Sequence, residues 1–286
     1  MPNLTIFSIP KPFRGHIALI QRNAIQSWKH IGGEVRIVLF GDDDGVADEA
    51  ASAGVEHVGD VPRSELGTPL LNVVFDDVRS RRTSELACYV NADIILAPDL
   101  LAAASRLHMA RFLAVGRRWD VDVSESIDFR QTDARAELRE LAHRNGKPHP
   151  PTGSDYFLYP GAIDWGFPPF AVGRPGWDNW LIFRARRLGI PVVDVSECVE
   201  VIHQNHEYGH VPSARDDGWE GPEADRNRDL AGGDQNLFDL RDASHQLTRR
   251  GLKRAVGPRY LARRLRRLRE THLTRSRLRG LYGSRL

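Results

Sequence analysis

Cysteine is scarce in this chain, with only Cys88 and Cys198 among 286 residues. So small a supply excludes a disulfide framework, and both thiols lie inside apolar, strand-like runs that mark them as structural rather than redox-active. Long hydrophobic runs are lacking too. No window approaches the roughly 18 consecutive apolar residues of a spanning helix, so no segment is expected to cross a membrane. The opening MPNLTIFSIPKPF is too short and too broken by proline for a signal peptide, which points to a cytoplasmic protein. There is no internal repeat. Net charge is also small, at +2, but that figure hides an asymmetry. Fourteen of the 40 basic residues and one of the 38 acidic ones fall between Arg249 and Leu286, so the tail carries +13 and the rest −11. That is a two-part polymer and not a uniformly basic nucleic-acid binder; no nucleic-acid partner is expected.

What is present suits a soluble globular protein: 41% hydrophobic and 27% charged residues, at a length that one continuous core can serve. The first two-thirds alternates strand-like and helix-like runs, the pattern of an α/β layered sheet. Strands are predicted at Leu4–Ile9, Val35–Phe40, Glu56–Val61, Leu86–Leu96, Phe112–Trp119, Asp155–Tyr159, Val192–Val195 and Val199–Ile202. Helices are predicted at His16–His30, Ala47–Ala53, Asp133–Arg144 and Pro175–Leu188, and another opens at Pro98. Thr68 followed by Pro69 reads as an N-cap for a helix to Ser84. Gly146–Gly153 reads as a loop, and Asn205–Gly233, with little periodicity, as a long loop or lid.

Four features carry the chemistry, and their order matters. Val35–Phe40 runs straight into Gly41-Asp42-Asp43-Asp44-Gly45. Ligands of open α/β sheets bind beyond the carboxyl ends of strands, where Asp42 and Asp43 can accept hydrogen bonds from a ribose or base; the same run is also good turn chemistry. Next, Tyr89-Val90-Asn91-Ala92-Asp93-Ile94-Ile95-Leu96 interrupts an apolar strand with polar groups at i and i+2, which share one side. Burying Asp93 there is costly unless a cation or a donor meets it. Third, Gly176-Trp177-Asp178-Asn179-Trp180-Leu181 opens a helix whose N-terminus favours Asp178 as a carboxylate, available as a base but a weaker one. Last, Val201-Ile202-His203-Gln204-Asn205-His206 ends an apolar strand in histidine.

The hydrophobic–NxD–hydrophobic run resembles the DxD motif of GT-A glycosyltransferases, with Asn91 where an Asp is commoner. The segment from Trp177 through Arg184 to Gly189 resembles, in register, the ED-x-x-L-x-x-R-x-x-x-x-G segment of inverting GT-A enzymes. Asp178 falls on its final acid, and Trp177 replaces its Glu. His203 first, and His206 second, match the late histidine of metal-dependent members. The stretches FSIPKPF, QRNAIQSW, GTPLLN, GRRWD, HPPTGSDYF, IHQNH and WEGPEADRN are similar to a family of predicted GT-A transferases of bacteria and plants.

This resemblance implies a GT-A fold: a Rossmann-like α/β domain with a mixed, mostly parallel sheet flanked by helices. It also implies transfer of a sugar from a nucleoside-diphosphate sugar to the hydroxyl of a sugar, lipid-linked or small-molecule acceptor. The cofactor would be Mn²⁺ or Mg²⁺, held by Asp93 and His203 and offsetting charge on the leaving group. Asp178 would take the acceptor proton. Asp42, Asp43, Asn72, Asn91 and Arg14 would bind the nucleotide sugar; Trp119, Asp120, Thr152, Asp155 and Trp177 would face the acceptor. The transferase domain is expected to span residues 1–248. Residues 249–286, with Leu261, Leu265 and Leu268 at helical spacing among arginines, are expected to form a basic amphipathic helix able to dock on an anionic membrane surface, as an enzyme of polysaccharide or glycolipid synthesis would need. Two other readings stay open. A sugar-nucleotide pyrophosphorylase shares the sheet, but SIPKPFRGH has one glycine where that class carries a Gly-rich loop. A non-catalytic nucleotide-sugar-binding scaffold would also accommodate Asn91 and Trp177.

Overall fold

The computed structural model describes residues 3–206, 220–255 and 261–262. Its elements begin with β1 (Leu4–Ser8), α1 (Gly15–Lys29), β2 (Val35–Phe40), α2 (Val46–Ala53), β3 (Glu56–Val58), α3 (Leu71–Arg81) and β4 (Leu86–Val90). The chain continues through β5 (Ile94–Ile95), α4 (Asp99–Ala104), β6 (Leu113–Val115), β7 (Arg118–Val121), α5 (Ala134–Asn145), β8 (Lys147–Pro148) and β9 (Tyr156–Pro160). Last come α6 (Trp177–Arg187), β10 (Val192–Asp194), β11 (Val201–Gln204), α7 (Pro222–Ala231), β12 (His245–Thr248) and β13 (Gly251–Arg254).

Nine strands form the main sheet in the order β13-β12-β10-β6-β9-β4-β1-β2-β3. It is mixed and mostly parallel, as predicted: β9 lies antiparallel between β4 and β6, and β13 antiparallel to β12. Alternation within the central strands makes two cores. Leu4, Ile6, Ile37, Leu39, Leu86, Cys88 and Val90 face α1, α2 and α4, while Phe7, Val38, Phe40, Ala87 and Tyr89 face α3 and α6. Both faces are covered, which is why these strands read as continuous apolar runs. Burial of Cys88 pushes its thiol up to about 12, in keeping with an inert core group.

A second, four-stranded sheet in the order β5-β11-β7-β8 sits at one edge of the first. It has its own small core, in which Ile95, Val121 and Ile202 pack with Phe129, Leu138 and Ala142. This sheet accounts for two departures from expectation. The predicted strand Leu86–Leu96 is broken at Asn91-Ala92-Asp93, so β4 belongs to the main sheet and β5 to the small one. Phe112–Trp119 divides likewise into β6 and β7 at Gly116 and Arg117, and the predicted loop Gly146–Gly153 contributes β8.

Two further corrections concern helices. Thr68 is not an N-cap: its hydroxyl donates to Glu223 Oε2 at 2.7 Å, and α3 begins later, after Leu70. The predicted loop Asn205–Gly233 contains α7, started by Pro222 at its first position. Glu223 and Asn227, one turn apart, are both buried on its inner face. Glu223 accepts from Ser64, Thr68 and Arg174, and Asn227 pairs with both backbone groups of Ala171 at 3.0 Å. Residues 207–219 and most of the predicted tail helix, including Leu265 and Leu268, lie outside the described residues. Within 249–286, Gly251–Arg254 extends the main sheet as β13, and Leu261 is exposed. Among the described residues no helix is long and apolar enough to cross a membrane.

Candidate functional site

β1, β2 and β4 are parallel, so the segments that follow them emerge along one edge of the main sheet. Those segments carry Lys11, Asp42–Asp44 and Asn91–Asp93. β9 is antiparallel to β4 with Tyr156 opposite Val90, which brings Asp155 to the same edge, where its backbone carbonyl accepts from Asn91 N at 2.9 Å. The small sheet completes the enclosure. His203 is in register with Ile94 across β5 and with Asp120 across β7.

At this junction Asp93, His203 and His206 converge, with one ligand atom from each lying within 4.8 Å of the others. His206 Nε2 is 3.1 Å from Asp93 Oδ2, His203 Nε2 is 3.8 Å from the same oxygen, and Lys11 Nζ is 3.4 Å from His206 Nε2. Burial alone would favour the neutral acid at Asp93, but His203, His206 and Lys11 outweigh it and hold the carboxyl well below the usual carboxylate range. Burial lowers the Lys11 ammonium in turn, against the pull of Asp93. Asp93 Oδ1 is buried and makes no hydrogen bond among the described residues. A buried carboxylate with one oxygen lacking a donor and the other facing two imidazoles fits a divalent cation.

A second group of charges adjoins the first. Asp155 Oδ1 accepts from Asn91 Nδ2 at 2.9 Å and lies 2.5 Å from Arg118 Nη1. Arg118 Nε donates to Asp120 Oδ1 at 2.8 Å, and His149 Nδ1 lies 2.7 Å from Asp120 Oδ2. Burial opposes the charge on Asp120, yet His203, His149 and Arg118 keep its carboxyl well below the ordinary range.

Asp178 stands in the first turn of α6, after Gly176, whose φ of +107° is one that only glycine adopts without strain. The carboxyl is partly exposed yet densely surrounded. Burial raises it to about 6, with added repulsion from Asp155, against the lowering effect of the backbone N–H groups at the helix start. The expected order of effects is thus reversed: desolvation outweighs the helix terminus, and Asp178 is a stronger base than an ordinary carboxylate. The buried Tyr89 hydroxyl is raised first by its own burial and then by Asp93, Asp155 and Asp178 together, which puts all three acids in one neighbourhood.

The remaining predicted residues are placed as follows. Asp42 and Asp43 both pair with Arg63, and Arg14 pairs with Asp44 at 2.8 Å on the surface. Asn72 lies in the first turn of α3, its Oδ1 buried and without a hydrogen-bond partner among the described residues. Trp119 points away from Asp120, toward α5, and packs on His143. Thr152 is exposed, and its carbonyl accepts from Asn179 Nδ2 at 3.2 Å. Trp177 is buried, 5.0 Å from Tyr89 in an edge-on contact. Arg184 donates to Trp165 O at 2.7 Å. Lys11 and His149 belong to the site although nothing in the strand and helix periodicity singles them out. Their signal is local: a lysine held between Pro10 and Pro12 at a strand end, and a histidine before Pro150-Pro151.

No protein-family model matches the chain, and no curated protein matches it. Solved structures are similar to it in fold. Glucosyl-3-phosphoglycerate synthase from Mycobacterium tuberculosis gives a TM-score of 0.49 at 16% identity over 81% of each chain. The same enzyme in complex with Mn²⁺, UDP-glucose and phosphoglyceric acid gives 0.44 at 18% identity over 72% of each. A mannosyltransferase from Pyrobaculum calidifontis, in complex with GDP-mannose and Mn²⁺, gives 0.45 at 13% identity over 73% of this chain and 59% of that one.

Proposed function

We propose that this chain is a metal-dependent glycosyltransferase of the GT-A type that moves a sugar from a nucleoside-diphosphate sugar to an acceptor hydroxyl, with inversion. One observation carries the reading. A cation-ready group, Asp93 with His203 and His206, shares the carboxyl edge of a mostly parallel sheet with Asp178, an acid of raised pKa. Asp93, His203 and His206 would hold the cation, and one carboxylate with two imidazoles suits Mn²⁺ better than Mg²⁺, which favours all-oxygen sites. A cation there offsets the charge that develops on the departing diphosphate.

The chain's own groups do the rest. Lys11, its Nζ 3.4 Å from His206 Nε2, would add a positive charge beside the cation site. Asp42, Asp43 and Asn72 bind the nucleoside, and Thr152 and Asp155 border the acceptor. Asp178 takes the proton of the attacking hydroxyl: with a pKa of about 6 it is ionised at neutral pH and a better base than a free carboxylate. Calorimetric titration of UDP and GDP, with and without Mn²⁺, on the wild type and Asp93→Ala tests the proposal. Binding that requires Mn²⁺ and is lost in the variant is expected. Folded, Mn²⁺-loaded protein that binds neither nucleotide would overturn transfer from UDP- or GDP-sugars.

A further inference from the structure

The parallel register of β11 and β7 sets His203 opposite Asp120, so their side chains rise from the same face of the small sheet. His203 Nδ1 lies 3.2 Å from Asp120 Oδ1, a close approach short of hydrogen-bond geometry, while Nε2 of the same ring is turned toward Asp93. Asp120 does not float free behind the ring. Arg118 Nε donates to its Oδ1, His149 Nδ1 meets its Oδ2, and another nitrogen of Arg118 is tied to Asp155. Both oxygens of Asp120 are therefore engaged inside the protein.

We propose that Asp120 is a positioning residue for His203, fixing the ring so that Nε2 presents its lone pair to the cation; the inference rests on the metal-dependent reading above. A neutral imidazole carries one N–H. Drawing that N–H to the Nδ1 side, toward Asp120, leaves Nε2 as the metal-facing acceptor, whereas the other tautomer would aim a hydrogen at Asp93 and at the metal. A carboxylate behind a ligating histidine also makes the imidazole a better donor, and losing it typically costs about 10–100-fold in metal affinity. Arg118 and His149 hold Asp120 so that it can do this. The assignment gives Asp120 an inward role where the sequence suggested contact with the acceptor.

The test uses the full chain and Mn²⁺ alone. Calorimetry on folded Asp120→Asn is expected to show Mn²⁺ affinity about 10–100-fold weaker than wild type, alongside a lower thermal midpoint from the lost charge pairing with Arg118 and His149. In ¹⁵N-histidine-labelled, metal-free wild type at about pH 8, the His203 signal, identified by its loss in His203→Gln, is expected to report the Nδ1–H tautomer. It should move toward Nε2–H in Asp120→Asn. Wild-type binding with an unchanged affinity in Asp120→Asn would overturn this inference and leave the metal site standing. Wild type that takes up no Mn²⁺ would overturn the metal reading and this inference with it. If Asp120→Asn does not fold, the wild-type tautomer alone decides, and Nε2–H refutes the role.

Discussion

Arg118 Nη1 lies 2.5 Å from Asp155 Oδ1, with both side chains almost wholly enclosed. Because Arg118 belongs to the small sheet and Asp155 precedes a strand of the large one, this ion pair fastens the two together. Removing one partner leaves the other charge buried and unpaired. Arg118→Met is therefore expected to destabilise the fold by about 3–5 kcal/mol in urea unfolding. Arg118→Lys should recover only part of the loss, since a single ammonium cannot serve Asp155 and Asp120 at once with the same geometry.

The raised pKa of Asp178 predicts a signed effect of pH. Its folded value of about 6 exceeds the ordinary 3.8, so the folded state binds more protons between the two and stability falls as pH rises through that window. Asp178→Asn should thus stabilise the protein at about pH 8, on the order of 1–3 kcal/mol, and by less at about pH 4.5. The same variant should abolish transfer while leaving donor binding intact. Retained turnover would end the assignment of Asp178 as base.

Asp155 contributes repulsion to that raised value. In Asp155→Asn the apparent pKa of the rising limb of the pH–rate profile is expected to move down from about 6. An unmoved limb would mean that burial alone sets it.

Mn²⁺ should stabilise the metal-free protein by about 2.7 kcal/mol at a hundredfold excess over its dissociation constant. Mg²⁺ at equal concentration should do less, because two of the three candidate ligands are imidazoles. His206→Ala should abolish the Mn²⁺-induced rise in melting temperature. An equal response to both ions would argue against His203 and His206 as ligands.

Asn227 spends its whole amide on the two backbone groups of Ala171. Asn227→Ala leaves a buried N–H and a buried C=O unpaired, and at about 1–3 kcal/mol each it should lower stability by at least about 2 kcal/mol in urea unfolding.

Legibility in the sequence followed the physics of each segment. β2 was readable to the residue, because a strand covered on both faces is apolar nearly throughout, Arg36 near its half-buried start being the exception. α7 was not, because its inner face is built from Glu223 and Asn227, and buried polar residues erase the hydrophobic period on which a helix is recognised. The division of Leu86–Leu96 between two sheets was hidden for a related reason: Ile94 and Ile95 are as apolar as the strand before them, and only tertiary pairing tells the two apart. At the site, Asp93 and His203 stood out as polar groups within apolar runs. Lys11 and His149 did not, since proline-rich loops carry no period and their positions depend on distant strands. The behaviour of Asp178 was visible in kind but not in degree, because the extent of its desolvation is set by neighbours far along the chain.

Asp93 lies on the three-residue span between β4 and β5, where the chain passes from the large sheet to the small one. His203 rides on the small sheet with Asp120, whereas Asp178 rides on α6 against the large one. A repacking of Ile95, Val121 and Ile202 would act on His203 and Asp120 together, within the limit set by the Arg118–Asp155 ion pair, and not on Asp178. In the proposed enzyme such a repacking would change the reach between donor and base without altering either chemistry. Reach of that kind selects among acceptor hydroxyls, so the small hydrophobic core beneath the second sheet is a place where substrate preference could drift under selection with every reacting group unchanged.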